Sequence, residues 1–321
     1  MSWHDIEGQA FAKQIWQAHL AAGTVANAYL VVGPAGVGKR LLAQELAKAL
    51  QCVSPEPPPC DRCAPCGQVG RRTHPDVHWL QAEGSSGFIR LEAVREVLGR
   101  IALRPFSGRY QAVIVDGAHR LTDEAANSLL KSLEEPPAHA RFVLLTEALA
   151  RCLPTIVSRC QLIRAHPLAP EALERILRAN HVDPEAAAAV AHLAGGSAAR
   201  ALELGEDWAG YEQLMALLAS EQWTQWFESE LPDTRQGVER LLDGMVAWLR
   251  DVAAAATGPT TSLVHQRFEA PVRRAASQVA PARCVQTALD LAALRDSLDQ
   301  FVNPRLAAAL ARERWLSLMA A

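Results

Sequence analysis

The first half of the chain alternates short apolar runs with stretches in which apolar residues recur every three or four positions. Two segments of the second kind, 41–51 and 90–103, predict amphipathic helices. Four runs of the first kind predict β-strands: AYLVVG (28–33), DVHWL (76–80), AVIVD (112–116) and RFVLLTE (141–147). Such alternation predicts a parallel sheet covered by helices, an α/β fold.

Beyond about residue 165 the strand-like runs end and the pattern becomes helical. Pro184 and the pair Gly195–Gly196 break residues 167–204 into three short predicted helices, because these residues interrupt helical periodicity. We therefore predict three segments. These are an α/β domain over residues 1–165, a small helical domain over 166–207 and an all-α domain over 208–321.

Composition narrows the class of protein without naming a function. The chain has 321 residues, half of them hydrophobic, and a formal net charge of -3, so no global positive field indicates nucleic-acid binding. The N-terminus lacks the charged and then apolar pattern of a secretory signal, and no apolar run reaches membrane-spanning length. We expect a cytoplasmic protein that does not engage a membrane.

The stretch GPAGVGKR (33–40) has the spacing of a phosphate-binding loop. Gly33, Gly36 and Gly38 give the backbone the freedom to turn its N–H groups toward phosphate, and Lys39 adds a positive charge. The stretch follows a predicted strand and precedes a predicted helix, as such a loop requires. We expect a nucleotide-type cradle in this part of the chain.

Two parts of a hydrolytic apparatus are missing from this cradle. Arg40 stands where a hydroxyl would coordinate Mg²⁺, and a guanidinium has no lone pair to offer a metal. Asp116 ends a predicted strand where a magnesium-associated carboxylate is expected, but Gly117 follows it where a glutamate would activate water. ATP hydrolysis and Mg²⁺ binding are therefore not expected, whereas binding of ATP or ADP stays open.

Four of the seven cysteines lie close together, at Cys52, Cys60, Cys63 and Cys66. Four thiolates satisfy a closed tetrahedral zinc site, which predicts a structural zinc module at about residues 52–66. Free thiols or a redox role are the alternatives, and His74 and His78 are near enough in sequence to compete as ligands.

Two longer stretches, AANSLLKSLEEPP (125–137) and LPTIVSRCQ (153–161), are far more specific than a glycine loop. With the loop, the cysteines and HPDVHWL (74–80), they closely resemble the bacterial clamp-loader family of AAA+ proteins. That family includes the gamma/tau ATPases and the delta-prime subunit of DNA polymerase III. Arg40 and the sequence DGAH (116–119) favour the delta-prime branch. The stretch 302–318 is similar to the last collar helix of these subunits.

The resemblance implies roles for individual residues. Arg159, in the element Ser158-Arg159-Cys160, would be an arginine finger that enters the ATP site of a neighbouring subunit. Thr146 corresponds to a sensor residue at the end of a strand, and Arg200 to a second sensor at the start of a lid helix. Whether these two keep a nucleotide role or a structural one is left open. Lys131, Glu134 and Glu135 of the signature helix fit a solvated or subunit-facing surface equally well.

The resemblance also implies a function. The chain would be a non-hydrolysing stator beside gamma/tau and delta, an accessory subunit of a DNA-directed DNA polymerase. It would help to load the sliding clamp onto primed DNA, and its helical lid and collar domains would follow the AAA+ domain. The alternatives are an active gamma/tau-like ATPase, and a stand-alone zinc- and nucleotide-binding protein of DNA metabolism.

Overall fold

The computed structural model describes Trp3, Thr261 and residues 5–82, 87–220, 231–258, 263–298 and 303–319. The chain divides into two compact units. The N-terminal unit comprises residues 1–179 and 195–200, and the C-terminal unit comprises residues 180–194 and 201–321. The three-segment division expected from the sequence stays a prediction. Within the described residues, no helix is both long and apolar enough to cross a membrane.

The N-terminal unit is built on a parallel five-stranded sheet with the order β2-β3-β4-β1-β5. Its strands are β1 Ala28–Val32, β2 Val77–Gln81, β3 Gln111–Asp116, β4 Ala140–Thr146 and β5 Gln161–Arg164. Its helices are α1 Ala10–Ala22, α2 Lys39–Gln51, α3 Ala64–Gly70, α4 Leu91–Ile101, α5 Asp123–Glu134, α6 Pro154–Val157 and α7 Pro170–Ala179.

Alternation along β1 explains the two apolar layers of this unit, because successive side chains of a strand point to opposite faces. Tyr29 and Val31 pack into one cluster with residues of α1 and α2, among them the fully buried Trp16. Leu30 packs into the other cluster with residues of α4 and α5, such as Leu129. Both faces of the sheet are therefore covered by helices, as parallel sheets require.

The described secondary-structure elements of the C-terminal unit are all helices, joined by loops. It contains α8 Pro184–Leu193, the greater part of α9 Ala198–Glu206, α10 Trp208–Ala219, α11 Arg235–Ala255, α12 Glu269–Gln278, α13 Pro281–Ser297 and α14 Pro304–Met319. The long α11 contacts α10, α12, α13 and α14. Trp248 of α11 and Trp315 of α14 are fully buried, so these tryptophans fill the core of the unit.

The structure confirms the four predicted strands, the two predicted helices and the three short helices between residues 167 and 204. The expected last helix runs from Pro304 to Met319, and Val302 at the start of the matching stretch lies outside the described residues. Among the described elements of the N-terminal unit, the helices α1, α3 and α6 and the edge strand β5 were not predicted. In β5 only Ile163 is buried, so the apolar pattern of this strand is weak.

Candidate functional site

The sheet register brings the predicted loop and two predicted site residues to one edge. Val32 pairs with Thr146, and Asp116 pairs with Leu145, so β1, β3 and β4 end side by side. The N–H of Gly33 donates to the carbonyl of Thr146 at 3.1 Å. The carboxyl ends of parallel strands are where open α/β sheets bind ligands, and the glycine loop begins here.

The glycine loop has the backbone conformation that its sequence predicts. Gly36 and Gly38 have φ values of +73° and +96°, a region that glycine enters without a steric penalty. A β-carbon on Gly36 would lie 2.1 Å from the Ser197 hydroxyl oxygen, so no other residue fits there without displacement. The loop therefore curls tightly into the N-terminus of α2.

Lys39 folds back across the mouth of this loop. Its ammonium donates to the carbonyl oxygens of Gly33 at 2.8 Å and of Pro34 at 2.6 Å. Burial lowers the pKa of Lys39, and the negative charges of Glu147 and Asp116 offset part of this effect. The cationic group is thus held at the position where a phosphate would enter.

Arg40 and Asp116 form an ion pair in the place that a magnesium ion would take. Both Nε and Nη2 of Arg40 bond to Oδ2 of Asp116. The carboxylate is therefore already engaged by a permanent cation, and position 40 offers no hydroxyl to complete a metal site. The residues present do not fit Mg²⁺.

Gly117, where a water-activating glutamate would stand, has φ +96°. Side chains with a β-carbon avoid this left-handed conformation, so the backbone as well as the residue type departs from a hydrolytic site. Glu147, which directly follows Thr146, already has His119 and Arg120 as partners. Hydrogen bonding to His119, together with the charges of Lys39 and Arg120, holds the pKa of Glu147 below its ordinary value.

Thr146 is buried and its hydroxyl has several partners inside the protein. His119 Nδ1 lies 3.1 Å from Oγ1, the N–H of Ala148 donates to it at 3.1 Å, and the thiol of Cys152 lies at 3.5 Å. These bonds fix the ends of β3 and β4 to each other. The Thr146 hydroxyl therefore links the segments that follow β3 and β4 at this edge of the sheet.

Arg200 sits in the first turn of α9, next to the glycine loop. The N–H groups of Ala198 and Ala199 donate to the carbonyl of Gly36, at 2.9 and 3.4 Å. The Ser197 hydroxyl accepts from the N–H of Arg200 at 3.3 Å. The start of this helix is therefore bonded directly to the loop, which brings the predicted second sensor to the same edge as Lys39.

Sequence reasoning missed Gln9, which joins the loop to the segment after β5. Its side-chain amide donates to the carbonyls of Val37 at 3.0 Å and His166 at 2.6 Å, and its carbonyl accepts from the N–H of His166. Gln9 also lines a cavity of about 330 Å³ with Gly8 and Leu168. A lone glutamine before α1 carries no sequence pattern that predicts these contacts.

Arg159 lies away from its own glycine loop, just after α6. Its guanidinium pairs with Glu134 at the end of α5 and donates to the carbonyl of Thr155 at 2.9 Å. The side chain is 33% exposed. The structure thus separates Arg159 from Lys39 and Asp116 and places it on a solvent-facing turn.

The four predicted cysteine ligands come together in one cluster. Their sulfur atoms all lie within 4.8 Å of one another. N–H donors of Arg62 and Cys63 lower the pKa of Cys60 to about 6, whereas burial raises the pKa of Cys52 and Cys66. A preformed set of four thiols with this spacing fits a tetrahedral zinc ion.

No histidine joins this cluster within the part of the chain that the structure describes. His74 is buried, and its Nδ1 accepts the N–H of Asp76 at 3.1 Å. Burial lowers the pKa of His74 and of His78. Both side chains are interior groups of the fold.

Comparison with known proteins identifies the family. A family model described as "DNA polymerase III, delta subunit" matches residues 8–169, about half of the chain. The DNA polymerase III subunit delta' of Bacillus subtilis is 30% identical over 295 residues, which cover 87% of each chain. This chain belongs to the delta-prime family of clamp-loader subunits. The matched region contains the glycine loop, the cysteine cluster and Arg159.

A second relative and a solved structure are also similar to this chain. The delta' subunit of Pseudomonas aeruginosa is 39% identical over 176 residues, which cover 54% of this delta-prime family chain and 53% of that relative. A crystal structure of a DNA polymerase III gamma subunit-related protein from Thermotoga maritima is 18% identical, with a TM-score of 0.44. It covers 94% of this chain and 99% of that one.

Proposed function

We propose that this clamp-loader subunit does not hydrolyse ATP and supplies Arg159 to the ATP site of a neighbouring gamma/tau subunit. The observation that carries the proposal is the contrast between two sites. Arg40 and Gly117 replace the metal-binding and water-activating parts of the chain's own loop, while Arg159 is presented on an exposed turn. The side chain that would act on ATP is thus exposed on the surface and is not part of the chain's own glycine loop.

The chemistry of Arg159 follows from the charge of a transferring phosphoryl group. A guanidinium that arrives in trans stabilises the negative charge that develops on the phosphoryl oxygens, an effect of about 10³–10⁵ in rate. In the isolated chain Glu134 balances the charge of Arg159. At a subunit interface a neighbour's γ-phosphate would take over that role.

The remaining parts of the fold serve assembly in this proposal. As stator, the chain sits beside gamma/tau and delta and helps to load the sliding clamp at primed DNA. The helices α11 to α14 form its share of a collar. Zinc at Cys52, Cys60, Cys63 and Cys66 would close the loop that follows α2 by tetrahedral coordination.

The rival function is a gamma/tau-like ATPase, which the intact glycines and Lys39 favour. The two proposals differ in what the purified chain does alone. We expect no ATP turnover above background, with or without primed DNA and Mg²⁺. DNA-stimulated turnover would establish the rival. Recovery from lysate without gamma/tau or delta would instead support a stand-alone protein.

The finger is tested by Arg159→Ala in the reconstituted complex with gamma/tau and delta. The ATP site of the neighbour loses a charge-stabilising group, so we expect turnover of that site to fall by about 10³-fold or more. Complex formation, measured by size-exclusion chromatography, should stay intact. The other ATP sites of the complex keep their own arginine fingers, so their turnover would mask the loss. Single-turnover kinetics of a complex in which only the neighbouring ATP site is active give the clearest measurement.

Arg151→Ala is the matched control, since Arg151 is an exposed arginine on the turn before α6. Its loss should leave turnover unchanged. If Arg159→Ala behaves like this control, Arg159 is not the finger.

A further inference from the structure

Lys48 is a buried cation beside the cysteine cluster. It lies on α2, and its side chain is 4% exposed. Among the described residues, no other lysine or arginine is buried. An ammonium group loses its hydration when it enters the protein interior, so a lysine persists there only where specific partners hold it. The partners of Lys48 therefore indicate what the residue does.

The ammonium of Lys48 connects α2 to the cysteine loop. Nζ donates to Oε1 of Glu45 and to Oδ1 of Asp61, both at 2.7 Å. Glu45 lies one turn earlier on α2 and is 2% exposed. Asp61 lies between Cys60 and Cys63, two of the predicted zinc ligands. Glu45 thus fixes the ammonium from its own helix, and the ammonium in turn holds the loop.

Asp61 sets the backbone geometry of the turn that presents these cysteines. Its φ is +55°, in the left-handed region that aspartate and asparagine enter more readily than most residues with a β-carbon. Its N–H hydrogen-bonds to the sulfur of Cys66, and the N–H of Cys63 donates to the sulfur of Cys60 at 3.4 Å. N–H donors stabilise thiolates, the form in which cysteine binds zinc. The place of Asp61 therefore affects how the thiols are supported.

Lys48 also contacts α3, the helix that carries Cys66. The main-chain carbonyl oxygen of Lys48 lies 3.9 Å from the sulfur of Cys66, which is buried. A β-carbon on Gly70, at the end of α3, would lie 3.7 Å from Cε of Lys48, so the aliphatic part of the side chain runs beside this helix. One residue thus touches both the turn after Cys60 and the helix that holds Cys66.

These contacts indicate positioning and not charge neutralisation. Four thiolates outweigh the positive charge of one zinc ion, so a nearby cation would stabilise the metal-loaded cluster. Glu45 and Asp61, however, place two carboxylates on the same ammonium. The three groups together are not a net source of positive charge, which leaves the geometry of the loop as the property that Lys48 controls.

We propose that Lys48 is a positioning residue for the zinc site: by holding Asp61 and α3, it brings the four thiols to the spacing that a tetrahedral ion requires. This role rests on the zinc binding proposed above, and it adds a group outside the ligand set on which the affinity of the site depends. Such partners commonly change metal affinity by about 10- to 100-fold.

The test is the zinc Kd of the full-length chain, measured under reducing conditions by competition with a chelating indicator of known affinity. Lys48→Met keeps the length and the apolar stem of the side chain and removes the ammonium, so the Kd should rise about 10- to 100-fold. Lys131→Met, at an exposed lysine of α5, is the matched control and should bind zinc as wild type does. A wild-type Kd in Lys48→Met would overturn the proposal.

Asp61→Asn tests the same contact from the side of the loop. Asparagine tolerates the left-handed backbone and keeps the N–H that bonds to Cys66, so the change removes the charge of the carboxylate. The zinc Kd should rise about tenfold. In the double variant it should stay within about threefold of the Kd of Lys48→Met, because both changes act on one contact. Effects that multiply would mean that the two residues act separately, and the proposal would fail.

Two further readouts separate positioning from a general loss of stability. Lys48→Met saturated with Co²⁺ should show the absorption of a tetrahedral four-thiolate site, because all four ligands remain. Loss of a thiolate from this spectrum would contradict the proposal. Thermal unfolding of the metal-free protein reports on stability alone. A lower Tm in this state with an unchanged zinc Kd would assign Lys48 to the fold and not to the metal site.

The wild-type chain decides the zinc proposal itself. A wild type that binds no zinc would overturn both proposals, whereas zinc binding with equal Kd values in wild type and Lys48→Met would overturn this one alone. Should Lys48→Met fail to fold, Asp61→Asn carries the test, since the side chain of Asp61 is 23% exposed. ATP turnover of the reconstituted complex is a separate measurement, so failure of the arginine-finger proposal is distinguishable from failure here.

Discussion

The ion pair between Arg159 and Glu134 holds the guanidinium of Arg159 only weakly. Their ion pair is partly exposed, with side-chain exposures of 33% and 48%. Pairs of this kind contribute about 0–1 kcal/mol, because solvent screens them and ordering two long side chains costs entropy. On the arginine-finger proposal, a phosphate oxygen brought by a neighbouring subunit would therefore displace Glu134 at little cost.

We predict that Glu134→Gln tightens the functional contact made by Arg159. Removal of the competing carboxylate frees the guanidinium, so the KM for ATP of the reconstituted complex should fall by at most about fivefold, equivalent to about 1 kcal/mol. The kcat should not decrease. Steady-state ATPase assays check both values.

Glu135→Gln is the control for this prediction, since Glu135 is an exposed neighbour on the same signature stretch. It should leave KM unchanged. A Glu134→Gln complex that loses turnover as Arg159→Ala does would show that Glu134 orients the finger rather than competing for it.

At the scale of elements, two features hold the loop between α2 and α3 in place: the cysteine cluster and a largely buried charge network. Lys48 of α2 donates to Glu45 and to Asp61, both at 2.7 Å, and Glu45 and Lys48 are almost fully buried. Asp61 follows Cys60, a predicted zinc ligand, so this network ties the cysteine loop to α2. Burial raises the pKa of Glu45 and Lys48 offsets part of this effect, so removal of one partner of this network would leave a buried charge uncompensated.

We predict one zinc ion per chain, lost in Cys63→Ser. Zinc at about 100 times its Kd stabilises a fold by about 2.7 kcal/mol, which for a unit of this size corresponds to roughly 5–10 °C in Tm. Plasma emission spectroscopy gives the metal content, and calorimetry gives the Tm. Cys284→Ala is the control, since Cys284 is buried in α13 and should keep the zinc.

A zinc content of zero in the wild type, or equal content in Cys63→Ser, would contradict this prediction. Preparation without chelators is required, because exchange with a strong chelator would remove the ion and mimic the variant.

Elements with strong periodicity could be predicted from the sequence, whereas contacts between distant residues could not. The apolar run AVIVD gave β3 within one residue, because four consecutive buried residues leave little ambiguity. The edge strand β5 was not predicted, because only one of its residues is buried and its apolar pattern is weak. The losses at Arg40 and Gly117 were visible in the sequence, but the bond from Arg40 to Asp116 joins residues 76 positions apart.

At the scale of the whole molecule, the C-terminal unit exposes four large apolar side chains on two of its helices. Val285 and Leu289 of α13 and Leu306 and Leu310 of α14 are exposed, and the two helices pack against each other. Arg314 of α14 pairs with Asp290 of α13, which holds the helices in register. Exposed apolar side chains at i and i+4 on neighbouring helices are typical of a helix-packing surface.

We predict that Leu289→Asp weakens assembly with gamma/tau and delta. Burial of a leucine contributes about 1.5–3 kcal/mol, so the Kd of assembly should rise by about 10- to 100-fold. Analytical ultracentrifugation of the mixed subunits measures this change. Leu103→Asp, at an exposed leucine of the N-terminal unit, is the control; equal weakening by both variants would argue against a collar role for α13.

The left-handed backbone at Gly117 bears on how this lineage can evolve. Serine at position 40 would restore a metal ligand in one step, yet a glutamate at 117 would also have to adopt φ +96°, at a cost of about 1–2 kcal/mol. Its β-carbon would lie 3.3 Å from Arg120 as well. On the proposal that the loop does not hydrolyse ATP, two replacements are needed to restore both missing groups, and the second is opposed by the backbone at Gly117. Under that proposal, we expect Arg40→Ser alone to leave ATP hydrolysis absent.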